Sequence, residues 1–89
     1  MIALTIYSRP GCHLCDDMKA VVERVALALI PPATIDVIDI SSDPDLESRY
    51  GVEIPVLLVN GKKAAKYRVS EEELVRMLNA RMGSAGGAG

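Results

Sequence analysis

Residues 2–15 read Ile2-Ala3-Leu4-Thr5-Ile6-Tyr7-Ser8-Arg9-Pro10-Gly11-Cys12-His13-Leu14-Cys15. From Ile2 to Tyr7 the apolar and β-branched residues run almost unbroken, the pattern of a strand buried on both faces in the middle of a sheet. Ser8-Arg9-Pro10-Gly11 ends it with turn formers. Beyond, Leu14, Met18, Val21, Val22, Val25 and Leu29 recur at helical spacing, which predicts an amphipathic helix from near Cys12 to just before Pro31-Pro32. Cys12 and Cys15 therefore fall at a strand-to-helix junction, inside the first helical turn.

Working outward, Thr34 to Ile40 is rich in Ile and Val and reads as a second strand. A helix lies between it and the first, so the two are expected to run parallel as a β-α-β unit. Asp43 as a cap, Pro44 in the first turn and Gly51 as a left-handed stop mark a short helix. After Ile54-Pro55 the run Val56 to Val59 meets Asn60-Gly61, the pair that favours a two-residue hairpin. A return strand from Lys62 to Val69 follows, its lysines suited to a sheet edge. Ser70-Glu71-Glu72-Glu73 is a capping box, and Leu74, Val75, Leu78 and Met82 line one face of a last helix. The order β-α-β-α-β-β-α predicts an α/β domain over residues 1–82, a four-stranded mixed sheet covered by helices on both faces. Residues 83–89, all Gly, Ala and Ser, read as a disordered tail.

Composition narrows the function. With 89 residues, 49% hydrophobic and 25% charged, the chain fits one domain and one site. Ten Lys and Arg are scattered among twelve acids, for a net charge of −2, so the basic stripe of a nucleic-acid binder is missing. Apolar runs such as Val25 to Ala33 are far shorter than the ~20 residues of a membrane helix. The start, Met1-Ile2-Ala3-Leu4, has neither a basic region nor a cleavage pattern. A cytoplasmic protein with neither nucleic acid nor membrane as partner is expected, and a monomer, because no sustained apolar face remains once the elements are assigned.

The chain has two cysteines. A disulfide between positions 12 and 15 closes too short a loop to constrain the unfolded chain much, so its value is chemical. Thiol-disulfide exchange needs a thiolate that attacks and a second sulfur close enough to resolve the mixed disulfide, and the first turn of a helix supplies both at this spacing. Cys12 is the exposed candidate nucleophile, favoured as thiolate by the helix dipole and unpaired amides, and Cys15 the buried resolving thiol. Arg9 and His13 are candidates for tuning the Cys12 pKa by adding positive charge, while Asp16 and Asp17 oppose them. Zinc is a poor alternative, since four ligands are usual and His13, the other soft ligand, lies between the cysteines. Inert core cysteines are also a poor reading beside a Pro-Gly turn. No metal or organic cofactor is expected.

Ile6-Tyr7-Ser8-Arg9-Pro10-Gly11-Cys12-His13-Leu14-Cys15 after a first strand, with Ile54-Pro55-Val56 before a hairpin about forty residues on, resembles a glutaredoxin-like protein of the thioredoxin superfamily. The resemblance extends to about Met82 and implies a thioredoxin-like fold and a thiol-disulfide oxidoreductase. It also implies a cis bond before Pro55, with Ile54 and Pro55 pairing with substrate like an added strand. One departure concerns the reductant. Glutaredoxins that use glutathione usually carry Cys-Pro-Tyr-Cys and a Gly-Gly before an acidic residue, whereas here the corresponding places read Cys12-His13-Leu14-Cys15 and Ala64-Ala65-Lys66-Tyr67-Arg68-Val69-Ser70. Amides near Ser70, with Arg68 close by, offer a carboxylate a place that Glu71, Glu72 and Glu73 oppose. The expected partners are a disulfide-bearing protein or small thiol substrate, and glutathione or a protein reductase as electron donor. Two alternatives follow from the same resemblance: an iron-sulfur cluster held between two subunits, and a non-catalytic interaction module on the fold.

Overall fold

The computed structural model describes residues 2–29 and 32–87, from residue 81 onward as backbone only. Strand β1, Ala3–Ser8, is central, and each edge of it is taken by a different partner. It pairs in parallel with β2, Thr34–Asp39, and antiparallel with β3, Val56–Val59. Strand β4, Lys62–Lys66, completes the order β2-β1-β3-β4. Helix α1, His13–Ala28, crosses between the parallel pair, α2 is Pro44–Tyr50, preceded by a 3₁₀ turn at Ile40–Ser42, and α3 is Glu71–Gly87. This is the four-stranded mixed α/β arrangement expected from the sequence.

Strand register explains how the faces are dressed. Leu4 opposes Val59 and Ile6 opposes Leu57, so these four side chains share one face. Against them pack Met18, Val22, Val25 and Ala26 of α1, one helical stripe, and Leu74 and Leu78 of α3. Each fully buried Leu, Ile, Val or Met there contributes roughly 1.5–3 kcal/mol of transfer free energy. Tyr7 has the opposite parity and points to the second face, where its ring lies 4.8 Å from that of Tyr50 on α2. Helices therefore lie on both faces, but unequally. Since α2 buries none of its own residues and reaches only the Tyr7 end, Ala3 is exposed and Thr5 half-buried, and β1 is not enclosed on both sides as its composition suggests.

The hairpin is the one Asn60-Gly61 predicts: Val59 pairs with Lys62, and both turn residues have positive φ, 51° and 83°. Asn60 also extends the β1 ladder, its amide donating to the Ala3 carbonyl at 2.8 Å and its Oδ1 accepting from the Ala3 amide at 2.9 Å. Other local readings change. Strand β4 ends at Lys66 rather than Val69, after an irregularity opposite Leu57/Leu58, because Tyr67 turns left-handed at φ 70°. Val75 is exposed, and half-buried Met77 joins Leu74 and Leu78 on the packed face of α3. That helix continues through residues 83–87, which the composition assigns to a tail. Pro31, the Met82 side chain, and Ala88 and Gly89 lie outside the described residues.

Candidate active site

Cys12 is the N-cap of α1, with extended backbone at φ −86° and ψ 110°. Its Sγ accepts a hydrogen bond from the Cys15 amide at 3.1 Å, the role usually played by a serine or aspartate oxygen at this position. Cys12 and Cys15 are joined by a disulfide, with Cα atoms 5.2 Å apart. Cys12 is half-buried rather than exposed, and Cys15 is 4% exposed, so Cys12 is the more accessible of the two.

Ile54 and Pro55 sit at the same end of the sheet. Tyr7 of β1 opposes Val56 of β3, so the residue before β3 and the loop after β1 emerge side by side. The Ile54–Pro55 bond is cis, as the resemblance implies. Pro55 is buried and its carbonyl accepts from the Tyr67 amide at 2.8 Å. The amide and carbonyl of half-buried Ile54 join no hydrogen bond among the described residues, which leaves a short backbone edge open.

The two tuning candidates differ. His13 is exposed on the first turn of α1, beside Cys12 in sequence. Arg9 reaches α2, where its guanidinium pairs with Glu47 and donates to the Gly51 carbonyl at 3.5 Å, and it lines the same cleft as Cys15. Gly51 is right-handed at φ −54°, not the left-handed stop its position suggests. What it provides is room, since a Cβ there would stand 2.5 Å from the Glu47 carbonyl oxygen and 3.2 Å from the Arg9 guanidinium. No local pattern marks Glu47 as the partner of Arg9, and sequence reading misses it.

A cleft of about 240 Å³ opens on the β2 side of Cys15, between Ser8, Pro10, Lys19, Val37 and Asp39. The Ser41 hydroxyl and amide, bonded to Asp39 at 2.6 and 2.9 Å, hold its carboxyl below the usual aspartate range, with Arg9 adding a smaller effect. Among the described residues no group of three or more His, Cys, Asp or Glu side chains is placed to hold a metal ion, and no helix is long and apolar enough to cross a membrane.

Residues 3–79 match the model of a family described as glutaredoxin-like domain (DUF836). A curated protein named thioredoxin from Methanocaldococcus jannaschii is 24% identical over 82 residues, spanning 91% of this chain and 96% of the relative. Among solved structures, a structural-genomics target from X. campestris is 31% identical, with a TM-score of 0.69 over 86% of this chain and 96% of that one. A mutant thioredoxin from Halobacterium salinarum is 25% identical, with a TM-score of 0.62 over 89% of this chain and 73% of that one.

Proposed function

The chain belongs to the glutaredoxin-like (DUF836) family, and from that premise we propose that it is a thiol-disulfide oxidoreductase in which Cys12 attacks and Cys15 resolves. The observation that carries this reading is the hydrogen bond from the Cys15 amide to Cys12 Sγ at the start of α1. In the reduced protein the same amide and the positive end of the helix stabilise a Cys12 thiolate.

The thiolate attacks one sulfur of a substrate disulfide. A Cys12–substrate bond forms, the substrate's own disulfide breaks, and the first substrate thiol departs with a proton. Deprotonated Cys15 then attacks Cys12 Sγ, the mixed disulfide breaks, and the second substrate thiol is released. Two electrons have passed from the dithiol to the substrate, leaving the Cys12–Cys15 disulfide. The open edge of Ile54 supports pairing with an extended substrate during the first step, Pro55 holding it beside the sulfurs. His13 adds positive charge at the mouth when protonated. Glutathione or a protein dithiol returns the two electrons, and the cycle runs in a cytoplasmic monomer without a bound cofactor.

The test is to equilibrate the protein without air across a series of reduced-to-oxidised glutathione ratios, alkylate free thiols and count them by intact mass. A cooperative two-electron transition, lost in Cys12→Ser, is the expected result. Two thiols that stay free at every ratio would end the proposal.

A further inference from the structure

One turn at the mouth of this site is unusually built. Tyr67 has φ 70°, and the Arg68 amide donates to the Lys66 carbonyl at 2.8 Å, closing a tight three-residue turn that bulky side chains rarely centre. Tyr67 is bound twice to the segment it faces: its amide to the Pro55 carbonyl at 2.8 Å, its hydroxyl to the Val52 carbonyl at 3.4 Å. Tyr67 is still 43% exposed, with the Lys66 ammonium 5.5 Å from its ring centre and the exposed Val52 bonded to its hydroxyl through the backbone. Since Val56 opposes Lys66 as well as Tyr7, the turn stands level with Ile54-Pro55 and the loop carrying Cys12.

The charges around it are unevenly spent. Glu53 is paired with Lys63 at 2.9 Å, Glu71 with Arg24 at 2.7 Å, and Glu72 with Arg76 at 3.3 Å. Glu73 accepts from the Ser70 amide in its capping box. Lys66 and Arg68, both exposed, join no ion pair among the described residues. A chain of net charge −2 thus presents two exposed cations, in sequence before and after Tyr67 and without an ion-pair partner among the described residues, next to the open backbone of Ile54, with Lys66 near enough to Glu53 to act on its carboxyl.

We propose that the Lys66-Tyr67-Arg68 turn selects the substrate: an extended polypeptide with acidic residues flanking its reactive cysteine. This rests on the exchange reading of Cys12 and Cys15 and adds its substrate class. The peptide backbone lies against Ile54, its side chains meet the Tyr67 ring and Val52, and its carboxylates face Lys66 and Arg68. A polypeptide fits better than a small thiol because the contacts span a strand edge and a neighbouring turn.

The experiment measures single-turnover reduction by the pre-reduced protein of two peptide disulfides identical except for aspartates or lysines beside the cysteine. Hydroxyethyl disulfide and oxidised glutathione serve as small controls, one neutral and one carrying carboxylates. The acidic peptide should react about threefold or more faster than the basic one at low salt, the gap closing as salt is added. Lys66→Glu/Arg68→Glu should invert the preference and leave the hydroxyethyl disulfide rate unchanged. Lys66→Gln/Arg68→Gln should abolish the preference, and gives a second reading if the reversed variant folds poorly. A normal hydroxyethyl disulfide rate with no peptide preference overturns the inference alone, as does oxidised glutathione outpacing the acidic peptide with equal sensitivity to the variants. No reaction with any disulfide overturns the exchange reading itself.

Discussion

The guanidinium of Arg9 and the carboxylate of Glu47 form an ion pair that ties the loop ahead of Cys12 to helix α2. The two side chains are 38% and 40% exposed, so solvent screens them and the pairing is worth about 0.5–1 kcal/mol. A double-mutant cycle of Arg9→Ala and Glu47→Ala, read by urea denaturation, should return a coupling of that size. Single variants that simply add, with no coupling, would mean the contact contributes nothing to folding.

The same junction sets the demand at Gly51. A methyl group added there meets the Glu47 carbonyl oxygen at 2.5 Å and presses on the Arg9 side chain, so Gly51→Ala should cost about 1–3 kcal/mol. The cause can be separated from left-handed strain. Asparagine tolerates a left-handed backbone but brings the same Cβ, so Gly51→Asn should be no better than Gly51→Ala. An asparagine variant close to wild-type stability would refute the steric account.

What was legible in the sequence is what local chemistry encodes. Asn60-Gly61 turns where its positive φ preference says it will, Asp43-Pro44 caps and opens α2, and Ser70 and Glu73 exchange the two capping bonds at 3.0 Å each. Cys12 and Cys15 lie in the first turn of α1 because strand, breaker and helix periodicity converge there. The Arg9–Glu47 pair and the Tyr67–Pro55 bond join residues far apart in the chain, and no spacing rule announces either. Gly51 departs from expectation for a related reason: a glycine after a helix usually signals a left-handed cap, whereas here the need comes from crowding by the Glu47 carbonyl and by the Arg9 side chain arriving from another element. The resemblance added the cis bond at Pro55, which residue patterns alone do not reveal.

The thin second face makes the core beneath α1 and α3 the main source of stability. Leu74 is fully buried where α3 packs on the sheet. Leu74→Ala should therefore lower stability by about 2–5 kcal/mol, depending on how far the site collapses. Val75→Ala, one residue on but 43% exposed, should change it by no more than about 0.5 kcal/mol. Equal losses at the two positions, measured by thermal or urea unfolding, would contradict the assigned packing of α3.

Acid should loosen the capping box at the start of that helix. The Ser70 amide, and then its hydroxyl, hold the Glu73 carboxyl below the usual glutamate range. A carboxyl whose pKa is lower in the folded than in the unfolded protein stabilises the fold at pH values above its unfolded pKa. That contribution fades as pH falls through the folded value. Asp39 and Glu53 are shifted the same way, by Ser41 and by Lys63, so the whole protein should lose stability toward acid and only a difference isolates Glu73. Wild type should exceed Glu73→Gln in urea-denaturation stability at neutral pH, and the gap should narrow once pH drops below the ordinary glutamate range. A gap that stays constant into strong acid would show that the Glu73 charge has no part in capping α3.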